Sequence, residues 1–209
     1  MVGNDREGYR SWIEEAGQAT FFELPHREPE PGFRVLEVVP FFRRLAARNA
    51  VFLGALITRR EAFERVGRFE PALCGAADWE LWLRMASRMT FGYWPEPLAT
   101  YTRHDDNMSS HHDRMKAEFC QALENVLRKC PHLAPPERAW VRARLRDQAF
   151  GLAYDAYDRG DFATARRRFA GQVLGGGGPA PRAALYWALS ALPGGMPRVV
   201  RRLKRSLIP

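Results

Sequence analysis

The spacing of apolar residues changes character several times along this chain, and each change predicts an element. Residues 1–32 are polar and turn-rich and end in the proline-heavy ELPHREPEPG, which cannot hold a regular helix and predicts a loop. FRVLEVVPFFRRLAARN, residues 33–49, places apolar side chains near helical spacing around Pro40, predicting a short strand or turn and then a helix over 40–48. AVFLGALI, residues 50–57, is continuously apolar with β-branched and aromatic members, the pattern of a strand buried on both faces. Thr58 stands where it can cap a helix RREAFERVG, in which Ala62, Phe63 and Val66 share a face and Gly67 supplies a left-handed stop. After a loop RFEPALCGA, Asp78 opens a helix DWELWLRMASR with Trp79, Trp82, Leu83 and Ala86 on one stripe.

FGYW and PLATYTRH predict two short strands separated by Pro95 and Pro97, followed by a polar loop DDNMSSHHD. Everything beyond is helical in pattern. An amphipathic helix is predicted over 114–129, closed by Pro131, and another from Pro135 to about Arg159. The turn RGD leads into DFATARRRFAGQVL, and the flexible GGGGPAP into AALYWALSAL. The series Ala153, Tyr157, Gly160, Ala165, Phe169 has the spacing of one tetratricopeptide-like helical hairpin. Two regions are expected: 1–113, mixed in pattern, and 114–209, all helical.

Composition narrows the class. With 209 residues and 46% hydrophobic content the chain can bury a core. Its formal net charge of +8 favours polyanionic neighbours such as phosphates or an anionic membrane. The arginines are scattered through helices without a nucleic-acid-binding motif, so nucleic acid is not expected as a partner. Three cysteines without a C-x-x-C pair argue against a disulfide framework or zinc knuckle and for a reducing compartment. The first residues lack an apolar leader, and no window approaches the roughly 18 apolar residues of a transmembrane helix, so a cytoplasmic, soluble or peripheral protein is expected.

Candidate chemistry gathers between residues 48 and 104. Asp78, entering a helix from Gly75-Ala76-Ala77, can accept a proton from a hydroxyl nucleophile, or can simply cap the helix. Trp79 and Trp82 can stack on sugar rings or fill the core. Arg59, Arg60 and Arg84 can neutralise a diphosphate or sit on a solvated face. His104, next to Asp105, Asp106 and Asn107, can ligate a metal or serve as a surface histidine. His111 and His112 are given no role.

Asn49, LITRREAFERVGRFEPAL, GAADWELWLRMA and FGYWPEPLATYTRHDDNMS occur in an order that resembles the C-terminal half of the catalytic domain of family-2 inverting glycosyltransferases, of GT-A fold, over residues 41–110. The resemblance implies an α/β, partial GT-A-type domain followed by an all-α region. It implies a nucleotide-sugar donor, a glycan or lipid-linked acceptor, and a role in cell-envelope polysaccharide assembly. It makes Asp78 the catalytic base and places His104 near a divalent ion, magnesium or manganese, that stabilises the departing nucleoside diphosphate. Arg84 and Arg59 would contact the donor, and Trp79 and Trp82 the acceptor. Ala77 stands where the family has Glu before the catalytic aspartate. No D-x-D motif on an apolar strand precedes residue 41, Asp5-Arg6-Glu7 lacking such a strand, so the chain is expected to hold only the acceptor side and to need a donor-binding half from elsewhere. The alternative is a non-catalytic interaction module of the same ancestry that binds a partner or membrane. The final PRVVRRLKRSLIP interleaves Val199, Val200, Leu203 and Leu207 with five basic residues, as either a helix lying on the inner, anionic face of the membrane or a solvated end.

Overall fold

A computed structural model describes residues 24–49, 51–94, 112–175 and 180–192. They form a small three-stranded antiparallel sheet and a larger set of helices, a mixed α and β class with helix dominant. The chain divides into two compact units, residues 1–110 with 121–142, and residues 111–120 with 143–209. The long helices α4 (His112–Lys129) and α5 (Pro135–Arg159) each contribute to both.

In the first unit β1 (His26–Glu30), β2 (Phe33–Leu36) and β3 (Gly92–Tyr93) pair in that order. The predicted loop therefore contains an edge strand. Its register slips by one between Arg27 and Glu30, a bulge that holds Pro29 where no ladder donor is required. Helix α1 (Val38–Ala47) begins two residues earlier than the pattern predicts, because Pro40 in the first turn has no intrahelical donor to lose. It buries Phe41, Phe42, Leu45 and Ala46 along one stripe. Helix α2 (Arg60–Val66) is preceded by Arg59 at the cap position and makes no side-chain cap bond, so Thr58 is not its cap. Gly67 ends it at φ +85°, ψ −179°, a conformation nearly closed to residues bearing a Cβ. Helix α3 (Ala77–Ala86) then runs through the interior, with every residue from 79 to 86 buried.

Residues 51–57 overturn the expected buried strand. They follow an extended path interrupted by a single 3₁₀ turn at Leu53–Ala55, where the Ala55 amide donates to the Phe52 carbonyl at 3.1 Å. Leu53 is 51% exposed and Ile57 fully exposed. A strand buried on both faces needs a hydrogen-bonded neighbour and a layer above and below, and the β1–β2–β3 sheet provides neither for this segment. Gly54 within the run weakens it further as a strand.

In the second unit two helices meet at a tight turn. Helix α6 (Phe162–Leu174) follows α5 after Gly160, which takes φ +86°, and the Asp161 carboxylate caps it by accepting from the Thr164 amide at 3.1 Å. Ala153, Ala156, Tyr157, Ala165 and Phe169 are buried together with Ala183 of helix α7 (Pro181–Ala191). Small residues at the helix contacts leave room for rings above them: Tyr186 lies 5.2 Å from both Tyr154 and Tyr157 and 5.7 Å from Phe169, centroid to centroid. Arg168 donates to the Leu152 carbonyl at 2.9 Å, and Lys116 pairs with Asp155.

Candidate functional site

The N-terminus of α3 holds a carboxylate fixed by hydrogen bonds from two directions. Ala76, fully buried and without a capping side chain, turns the chain into the helix, so the capping role passes to the next polar residue. Asp78, in the first turn, accepts from the Trp79 amide at 2.6 Å through Oδ1. The Asn49 side-chain amide reaches it from the segment after α1, donating to Oδ1 at 3.3 Å and Oδ2 at 3.4 Å. Asn49 is itself held by the Val51 amide, which donates to its Oδ1 at 3.3 Å. Asp78 is thus a positioned, half-buried carboxylate rather than a freely rotating one. Burial pushes its pKa upward, and the bonds from Trp79 and Asn49 pull in the opposite direction without cancelling the rise. A carboxylate with a raised pKa at the mouth of a helix is a better proton acceptor than an ordinary one.

Three other residues expected at a site are structural here. Arg84 is 3% exposed and bound on every side: its Nε donates to both Glu80 oxygens at 2.9 Å, its Nη2 to Glu80 at 2.7 Å and to the Arg68 carbonyl at 2.6 Å, and its Nη1 to the Val66 carbonyl. No donor nitrogen is left to meet a diphosphate, which corrects the expectation for Arg84. The i,i+4 spacing lets Glu80 enter the interior already paired, and Lys129 adds a second cation at 3.2 Å while also holding Glu70 at 2.8 Å. Trp79 and Trp82 are 2% and 1% exposed, so neither offers a ring face for a sugar to stack on. Trp79 Nε1 donates to the Leu45 carbonyl at 2.6 Å, locking α3 to α1, and Trp82 meets Phe69 edge-on at 6.1 Å. Both belong to the core because every side of α3 is covered, whereas an amphipathic stripe alone would leave one side open.

Arg59 is exposed and its side chain is the expected donor contact that remains at the surface. His104, the expected metal ligand, and the strand and loop around it lie outside the described residues, as does the basic C-terminal segment. Among the described residues no cluster of three or more His, Cys, Asp and Glu has the form of a metal site. Asn49 opens the resembling series, but the sequence assigned it no role. Its only signal is a polar amide closing an apolar helix, and pairing with Asp78 across 29 positions is a tertiary event.

No helix among the described residues is long and apolar enough to cross a membrane. Comparison of the chain with protein-family models, with curated proteins and with solved structures found no match.

Proposed function

We propose that the first unit is the acceptor-and-base side of a sugar-transfer site of the family-2 glycosyltransferase type. The observation that carries the reading is the Asn49–Asp78 pair at the start of α3, with its raised carboxylate pKa. In this reading Asp78 accepts the proton of an acceptor hydroxyl as that oxygen attacks the anomeric carbon in line, and the carbon–oxygen bond to the nucleoside diphosphate breaks. Asn49 and the Trp79 amide keep the carboxylate aimed and prevent it from turning back into the helix. Arg59 is the cation retained for the donor diphosphate, and the nucleotide-binding part comes from another segment or polypeptide. A divalent ion belongs with that part. The three short antiparallel strands described here offer no parallel strand–helix repeat on which to bind a nucleotide.

Transfer is to be measured with the chain and a donor-binding half supplied together, using a panel of nucleotide sugars and extracted envelope lipids. Asp78→Asn is expected to lower transfer by roughly 10²–10⁴-fold, the usual contribution of a positioned base. Equal transfer by the variant removes Asp78 from the mechanism. The chain alone is expected to bind nucleotide sugar weakly, and calorimetry giving micromolar, metal-dependent affinity contradicts the divided site.

A second reading, a non-catalytic interaction module, is favoured by one observation. The apolar run 51–57 is open to solvent, with Leu53 and Ile57 outward, and an exposed apolar run invites a partner. It predicts that Ile57→Ser removes partner binding while Asp78→Asn leaves it unchanged.

A further inference from the structure

Helix α7 has no polar side. The residues facing away from the Ala183–Phe169 cluster are Ala184, Leu185, Trp187, Ala188 and Ala191, which at 100° per residue sweep about 160° of the helix without a charged or hydroxyl group. Leu185 is 57% exposed, Trp187 37%, and Leu192 at the C-terminal end 39%. The polar side chains of the helix are engaged elsewhere. The Arg182 guanidinium lies 4.4 Å over the Phe150 ring, Tyr186 is inside the aromatic cluster, and buried Ser190 donates to the Trp187 carbonyl at 2.8 Å. An apolar helix face calls for cover, and among the described residues protein covers only the opposite side of α7.

Charge identifies the cover. Residues 162–209 contain nine Arg and Lys and no Asp or Glu, whereas residues 1–161 contain 23 basic against 24 acidic. The whole net charge of +8 therefore originates in the stretch that includes α6 and α7. We propose that the outer face of α7 docks on an anionic membrane surface, with Leu185, Trp187 and Leu192 entering the boundary between headgroups and acyl chains and the net positive charge of residues 162–209 drawing the chain to that surface. Nucleic acid offers the same phosphates but nothing to an apolar wall of leucine and tryptophan. A second copy would bring two uncompensated positive stretches together. Eleven helical residues span about 16 Å, half of a hydrocarbon core, so α7 lies along the surface instead of crossing it.

The test is cosedimentation of the full chain with phosphatidylcholine vesicles and with vesicles that also contain phosphatidylglycerol. Binding is expected to the anionic vesicles alone, to weaken in high salt, and to fall by about tenfold or more in Leu185→Ser/Trp187→Ser while helical circular dichroism is retained. Equal binding by the double variant, or equal binding to both vesicles, overturns the proposal. Should the double variant lose its fold, brominated lipid decides independently. It is expected to quench a tryptophan component that Trp187→Phe lacks, and identical quenching in the two proteins overturns the insertion. Preference for a DNA duplex over anionic vesicles, or protection of Trp187 in a vesicle-free dimer, also overturns it. Asp78→Asn is expected to bind vesicles as the wild type does, so failure of the sugar-transfer reading and failure of the membrane surface are separate results.

Discussion

Helices α3 and α7 make an instructive pair. α3 carries Asp78, Glu80 and Arg84 among its ten residues, while α7 carries one arginine and one serine among eleven. By composition α7 is the better interior helix. Yet α3 is buried from Trp79 to Ala86, and α7 leaves Leu185 and Trp187 in the open. The difference lies in their neighbours. α3 is packed by α1 and α2, and its charges enter the interior as a preformed Glu80–Arg84 pair closed off by carbonyls of the α2 end and by Lys129. α7 packs chiefly on α6, with Tyr186 and Arg182 reaching the aromatic rings of α5, and its other side is left exposed. Burial is a property of the surroundings, and a charged helix can be interior when its charges satisfy each other.

The sharpest way to break this comparison is Glu80→Ala. It strands Arg84 in the interior and is expected to cost about 3–5 kcal/mol in urea denaturation, whereas replacing both residues by Met restores most of that loss. A loss below about 1 kcal/mol for the single change means that the pair is not what lets α3 stay inside. Phe169→Ala empties the inner side of the second unit and is expected to cost about 3–5 kcal/mol by the same measurement. That would show the inner face of the hairpin to be as well packed as α3.

A smaller, pH-dependent effect is expected at the open end of α3. Because burial raises the Asp78 pKa, the folded chain holds that proton more tightly than the unfolded chain. The associated stability is complete below the ordinary carboxylate pKa of about 3.9 and is lost as pH rises through the higher folded value. Asp78→Asn is therefore expected to match the wild type in acid and to exceed it at neutral pH, in thermal melts across the range. A variant less stable than the wild type at neutral pH reverses that sign and removes the burial argument. Smallest of all, Leu185→Ser and Ile57→Ser are each expected to change stability by no more than about 0.5 kcal/mol. A loss comparable to that of Phe169→Ala would mean that these side chains are covered in solution after all.

Local pattern was a good guide wherever one helix face had to find one partner. Ala153, Tyr157, Ala165 and Phe169 occupy the hairpin core that their spacing implies, and Gly160 turns between the helices with positive φ. Pattern misled where the same residues suit two environments. Residues 50–57 look like an interior strand because nothing in an apolar run reveals whether a second strand lies alongside. The loop 23–32 looks irregular because Pro29 excludes a helix, but it does not exclude a bulged edge strand. At the candidate site, Asp78 was legible from its place in the first turn, while Asn49 as its partner and Glu80 as the sink for Arg84 were not.

What the amino-acid sequence determined by itself is the set of helices, their punctuation at Gly67, Gly160 and Pro135, and the concentration of positive charge in residues 162–209. Only the tertiary structure decided that Arg84, Trp79 and Trp82 are buried, that Asp78 is held by Asn49, and that Leu185 and Trp187 of α7 stay exposed. The reason is physical: periodicity and propensity are set within a turn or two of backbone, whereas desolvation and hydrogen-bond partnership depend on groups tens of residues away that arrive only when the chain packs.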